Sequence, residues 1–153
     1  MEYRNYRVKS PVKSFRDLEV YQKTVQLSDQ ITNLPFLSKT EFEQDNKEIK
    51  SIAESIPKLI AEAYGDKFDS KELAHKKLTD SITLITDAIT KIDLLRQRFT
   101  DNKEAMETLT QLLTQYQYQK RKVLNLRKAW QRVYVDYNKN EPGRFSRGAG
   151  KTG

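Results

Sequence analysis

Six cations crowd into thirteen residues near the end of this chain: Lys120, Arg121, Lys122, Arg127, Lys128 and Arg132, interleaved with Leu, Val and Trp130. No acid occurs between Glu107 and Asp136, a run of twenty-eight residues. Ammonium and guanidinium groups at this density suit one chemistry above all, the binding of phosphates and other oxyanions. At about 100° per helical residue, Val123, Leu126, Trp130, Val133, Tyr134 and Tyr137 fall on one face, and Arg121, Lys128 and Arg132 fall together nearly opposite. The apolar face is built to pack and the basic stripe to meet water or a polyanion. Taken alone, the stripe also reads as a solvated helix face.

The remaining charge favours the polyanion. The chain carries a net +7, yet residues 14 to 119 hold 14 Lys and Arg against 18 Asp and Glu, a net of −4. Residues 1 to 13 carry +3 (Arg4, Arg7, Lys9 and Lys13 against Glu2), and so do residues 138 to 153 (Lys139, Arg144, Arg147 and Lys151 against Glu141). The positive excess therefore sits in the two ends and the basic segment, as an electrostatic footprint does. Tyr3 and Tyr6 lie among Arg4 and Arg7, a mixture suited to base stacking with phosphate contact, or to strapping onto a neighbouring subunit.

Other chemistry finds little footing. There is no cysteine, hence no disulfide, thiol nucleophile or zinc-thiolate site. His75, the one histidine, stands beside Lys76 and Lys77 and reads as a surface residue. No Arg precedes it at the spacing of helical nucleases. Glu54 and Glu62 share a helix side but lack the second carboxylate helix or the histidines of a metal or acid–base pair. Gly148-Ala149-Gly150-Lys151-Thr152 imitates a phosphate loop, but Phe145 occupies the first glycine position and no helix can follow before Gly153. No catalytic residue, metal ligand or cofactor site is expected.

Elements that could position the cations follow from apolar spacing, and no alternating strand pattern occurs. Ser14 with Asp17 opens a helix over 14–33 whose apolar stripe is Leu18, Tyr21, Val25 and Ile31. Thr40 with Glu43 opens a second over 40–64, using Phe42, Ile49, Ile52, Ile56, Leu59, Ile60 and Ala63, bent at Pro57 and stopped by Gly65. Asp69 with Glu72 caps a third over 69–99, where Leu78, Ile82, Ile85, Ile89, Ile92 and Phe99 give the strongest periodicity in the chain. Asp101 with Glu104 opens the fourth, 101–137. Tyr116 and Tyr118 cannot share a helix face, so one of them belongs at the surface.

Short connections imply antiparallel neighbours, hence an all-α, up-down-up-down four-helix bundle flanked by a basic arm (1–13) and a flexible basic tail (138–153). Both ends and the stripe then converge on one pole, with +12 from the two terminal segments and residues 120–132 together. The fourth helix, about 55 Å long, would overhang the others. Trp130, Tyr134 and Tyr137 would then need a partner, a neighbouring subunit or stacked bases. With only short apolar runs and no apolar N-terminal core, the chain is expected to be soluble and cytoplasmic, with no membrane insertion.

Phe15-Arg16-Asp17-Leu18-Glu19-Val20-Tyr21, followed by Ser55-Ile56-Pro57-Lys58-Leu59-Ile60-Ala61-Glu62-Ala63-Tyr64-Gly65, resembles the four-helix bundle proteins encoded in 23S rRNA intervening sequences. Those proteins carry a Phe-x-x-Leu-x-Val-[Trp/Tyr] helix and a Ser-Ile-Pro-x-x-Ile-Ala-Glu segment. The same superfamily includes the accessory variability proteins of diversity-generating retroelements, which the basic, Trp-containing fourth helix and Lys91-Ile92-Asp93-Leu94-Leu95-Arg96 resemble more. The likeness spans 14–137; paired arginines that often precede Ser-Ile-Pro are replaced here by Lys50-Ser51-Ile52-Ala53-Glu54. It implies a ring, a pentamer, that binds nucleic acid and docks a reverse transcriptase.

The expectation is a non-enzymatic homo-oligomer binding RNA or DNA phosphates with little sequence readout. Arg121, Lys128 and Arg132 are its primary contacts, supported by Lys120, Lys122, Arg127, Arg144 and Arg147, and Trp130, Tyr134 and Tyr137 form an interface. The alternatives are a protein-interaction scaffold and an intervening-sequence protein without strong nucleic-acid binding.

Overall fold

The structure, a computed structural model, describes residues 12–139, with side chains from 12 to 132. Four helices pack against one another: α1 (Glu19–Thr32), α2 (Glu43–Asp66), α3 (Lys71–Arg96) and α4 (Lys103–Lys139). Single 3-10 turns lie at Phe15–Asp17, Pro35–Leu37, Thr40–Phe42 and Gln97–Phe99, and no strand occurs among the described residues. α2 lies along α3 and α3 along α4, while α1 rests on α2 and touches α4.

The core is the sum of the four apolar stripes. On α3, Leu78, Ile85 and Ile92 are wholly buried at steps of seven, with Ile82 and Ile89 at their flank. They meet Ile49, Ile56 and Ile60 of α2 and Leu109, Leu112 and Tyr116 of α4 in one continuous cluster. Truncating a side chain such as Ile85 to Ala would cost about 2–5 kcal/mol, because a packed interior cannot close the void. One end is plugged by aromatic rings: Phe99 stacks on Phe42 at 4.9 Å between centroids and receives Phe36 edge-on at 4.8 Å.

Polar contacts tie the helices in register. Lys91, late in α3, reaches Asp45 at 2.8 Å and Glu48 at 2.6 Å, early in α2, and Arg98 adds a second cation to Asp45 at 2.6 Å. Lys77, early in α3, meets Asp66 at 2.8 Å and Glu62 at 3.4 Å, late in α2. Between α3 and α4, Arg96 donates to Thr110 (3.2 Å) and Arg127 donates to Thr79 (2.8 Å).

Several local expectations need correction. Ser14 and Asp17 do form a reciprocal cap, with Arg16 N–H donating to Ser14 Oγ (3.2 Å) and Ser14 N–H to Asp17 Oδ2 (3.3 Å), but they cap the 3-10 turn. Extended backbone at Leu18 separates that turn from α1. The buried face of α1 is Val20, Thr24, Leu27, Ser28 and Ile31, and Tyr21 and Val25 only flank it. Thr24 is tolerated there because its hydroxyl donates to the Val20 carbonyl at 2.7 Å.

The caps of α3 and α4 shift by one residue, and α2 starts at Glu43 behind Phe42 with no side-chain cap from Thr40. Ser70, not Asp69, caps α3, its hydroxyl accepting from Leu73 N–H (3.1 Å). Asn102, not Asp101, accepts from Ala105 N–H (3.1 Å) at the start of α4. Gly65 does not stop α2, which runs through it to Asp66, with Lys67 N–H bonding to the Ala63 carbonyl (3.0 Å).

Candidate nucleic-acid interface

α4 spans 37 residues, about 55 Å at 1.5 Å per residue, against 26 residues and about 39 Å for α3. Its first half is core, with Ala105, Leu109, Leu112, Tyr116 and Gln119 buried. From Val123 onward burial lessens, and Leu126 and Trp130 are half-buried against the cluster. The outward face of this second half carries Arg121, Lys128 and Arg132, all exposed. Among the described residues no carboxylate lies within 4 Å of any of the three.

Lys128 follows Arg121 by about 10 Å along the axis and Arg132 follows by about 6 Å more, within a 40°-wide strip, roughly, of the helix surface. Tyr118, 49 % exposed, stands on the flank of the strip, while Tyr116 is the buried member of that pair. An exposed ring beside unpaired cations offers a stacking platform. Tyr118 was legible only as one of two possible surface tyrosines, because periodicity could not say which of the pair turned inward.

Of the other three cations of the segment, two have partners within the molecule. Lys122 is half-buried, approaches Glu19 of α1 at 3.9 Å and lies 5.3 Å from the centre of the Tyr118 ring. Arg127 turns toward α3 and spends a guanidinium N–H on Thr79. Lys120 is half-buried. Arg144 and Arg147, with the side chains of Tyr134 and Tyr137, lie outside the described residues.

Trp130 is half-buried and has partners within its own chain. Its ring packs 6.4 Å from Tyr64 of α2, and Lys67 sets its ammonium 5.0 Å from the Trp130 ring, 5.1 Å from Tyr64 and 5.0 Å from Phe68. Burial holds Lys67 below the ordinary lysine value, and the positive charge of Lys71 adds to the shift. Beside this cluster a cleft of about 300 Å³ opens between the α2–α3 turn and α4, walled by Trp130, Ala74, Leu78 and Arg127, with Lys67, Lys71, Glu72, His75 and Gln131 around it. No sequence signal marked Lys67, since its rings come from α2, the turn after it and α4.

This end of the molecule is less one-sided than the charge along the chain suggests. The same end of the molecule presents Glu19, Glu62, Asp66 and Glu72, and Lys77 is held above the ordinary lysine value by hydrogen bonds to Asp66 and Glu62 that outweigh its desolvation. Glu62 and Asp66 pair with Lys77 and Glu19 approaches Lys122, whereas among the described residues no carboxylate lies within 4 Å of the α4 strip. No group of three or more His, Asp or Glu side chains that could hold a metal ion occurs among the described residues. No described helix is long and apolar enough to cross a membrane. Comparison with protein-family models, curated proteins and solved structures finds no match to this chain.

Proposed function

We propose that this chain is a non-enzymatic, basic, up-down-up-down four-helix bundle that binds the phosphates of RNA or DNA through the outer face of α4. The carrying observation is the exposed, carboxylate-free strip of Arg121, Lys128 and Arg132, in a molecule whose other inter-helix cations are tied to acids, hydroxyls or rings. Such a strip reads charge and spacing rather than base identity, so binding is largely independent of sequence. The exposed ring of Tyr118 beside it adds stacking with unpaired bases.

The resemblance of Phe15 to Tyr21 and of Ser55 to Gly65 to the intervening-sequence and retroelement accessory proteins extends the proposal. The bundle assembles with itself, as a pentamer, into a basic collar in the cytoplasm and serves a ribonucleoprotein, with a reverse transcriptase as the docked enzyme. Phe68 (68 % exposed) and Leu94 (55 %) are the most exposed large apolar side chains among the described residues, followed by Val12 and Leu73, and are available for subunit contact.

Light scattering of the purified protein, with and without a structured RNA and over about 50 to 500 mM salt, reads mass and phosphate contact together. An oligomer that gains RNA mass at low salt and releases it at high salt is expected. A monomer, or an oligomer indifferent to RNA, would overturn the proposal in favour of a protein scaffold.

A further inference from the structure

The cleft between the α2–α3 turn and α4 is chemically different from the phosphate strip, about a third of a turn around α4 from it. Its volume, about 300 Å³, lies at the small end of the range for ligand sites, about 300–1,000 Å³. Trp130 supplies an aromatic wall and Ala74 and Leu78 an apolar floor, whereas the rim is cationic, with Lys67, Lys71 and Arg127 against the single carboxylate of Glu72. An aromatic ring beside apolar side chains, with an excess of positive charge around them, suits a planar aromatic body that carries an anionic group.

We propose that this cleft is a nucleotide-binding site, the base lying against Trp130 and the phosphate meeting Lys67 and Arg127. Thr79 holds the Arg127 guanidinium at the cleft through one N–H and leaves its other donors for the phosphate. Lys67, depressed by burial and by Lys71, stands in a field that an incoming phosphate would relieve. The two terminal segments are poor occupants by charge, since each carries a net +3. The site reads a base and so goes beyond the base-blind strip; it does not depend on the strip for its ligand.

Trp130 is the only tryptophan in the chain, so its fluorescence reports the cleft directly. The intact protein is titrated with adenosine monophosphate, with inorganic phosphate and with a short oligoribonucleotide. Saturable quenching by the mononucleotide and none by phosphate alone is expected. Lys67→Gln and Arg127→Gln should each weaken binding about tenfold, Lys67→Arg should retain it, and circular dichroism checks that each variant is folded. Quenching by the oligonucleotide alone would assign the cleft to one residue of a bound strand. Replacing Arg121, Lys128 and Arg132 by Gln should leave mononucleotide affinity unchanged, which separates this site from the strip. Absence of saturable quenching by either nucleotide ligand up to about 10 mM would overturn the proposal, as would unchanged affinity in both Gln variants.

Discussion

Neutralising Arg121, Lys128 and Arg132 together as glutamines isolates the strip from everything else in the molecule. All three are exposed, none has a carboxylate partner among the described residues, and glutamine keeps nearly the helix propensity of the residues it replaces. Folding stability should therefore change by no more than about 0.5 kcal/mol per site. Each phosphate neutralised contributes about 0.7 to the slope of log affinity against log salt on a single strand and about 0.9 on a duplex, so three contacts are worth roughly 2 to 2.7 per protomer. Between about 50 and 200 mM salt, that slope alone weakens wild-type binding roughly 20- to 40-fold, and the variant should lack this component. Fluorescence anisotropy with labelled RNA and duplex DNA of unrelated sequences measures it. The companion variant, Lys120, Lys122 and Arg127 to Gln, removes the same formal charge from half-buried positions and should lower the slope by about 1 or less. Equal slopes in the wild type and the strip variant would refute the assignment, and a larger loss in the companion variant would move the phosphate contacts to the other face of α4.

Three further outcomes test the fold. Gly65 is exposed inside α2 with nothing within 4 Å of an added Cβ, so Gly65→Ala should stabilise by about 0.5–1 kcal/mol, seen as a higher thermal midpoint; a loss would return Gly65 to the role of helix stop. The Tyr116 hydroxyl is buried without a hydrogen-bond partner, so Tyr116→Phe should be neutral or stabilise by up to about 1 kcal/mol in denaturant melts, and a cost above about 1 kcal/mol would reveal a partner for it. Hydrogen bonding to Lys91, then Arg98, holds Asp45 below the ordinary carboxylate value of 3.8 against the opposing cost of its partial burial. Its contribution is thus present above that value and lost as pH falls through the lowered one. Asp45→Asn should cost about 1 kcal/mol at neutral pH, shrinking below about pH 4, and a pH-independent cost would deny the ion pair its role.

Four helices were legible because their apolar spacing is strong. Leu78, Ile85 and Ile92 recur at sevens and all three are buried, and Ser81, the one buried polar residue of α3, donates its hydroxyl to the Leu78 carbonyl at 2.7 Å. The face of α1 was misread for a physical reason: Thr24 and Ser28 are buried polar residues, Thr24 made tolerable by a bond to its own helix, which hydropathy cannot register. The one-residue shifts at Ser70 and Asn102 arise because each has an acidic neighbour equally able to cap, and the turn geometry decides. Within the basic segment, the wheel separated Arg121, Lys128 and Arg132 from the rest. That Arg127 would find Thr79, and Trp130 find Tyr64 and Lys67, depended on which helix lies alongside α4, and that is a tertiary fact.

Pro57 is buried within α2, and the helix runs unbroken past it from Glu43 to Asp66. With no N–H at residue 57, the Ala53 carbonyl lacks its regular donor and one rung of the ladder is missing at mid-length. The two halves are secured to different lysines of α3, the early half by Asp45 and Glu48 on Lys91 and the late half by Glu62 and Asp66 on Lys77. The two halves of α2 should therefore open separately, and amide hydrogen exchange should show a step in protection across residue 57. The late unit carries Tyr64 and leads into Lys67 beside the Trp130 cleft, so a bound nucleotide should slow exchange on that side of the proline and leave the other side unchanged.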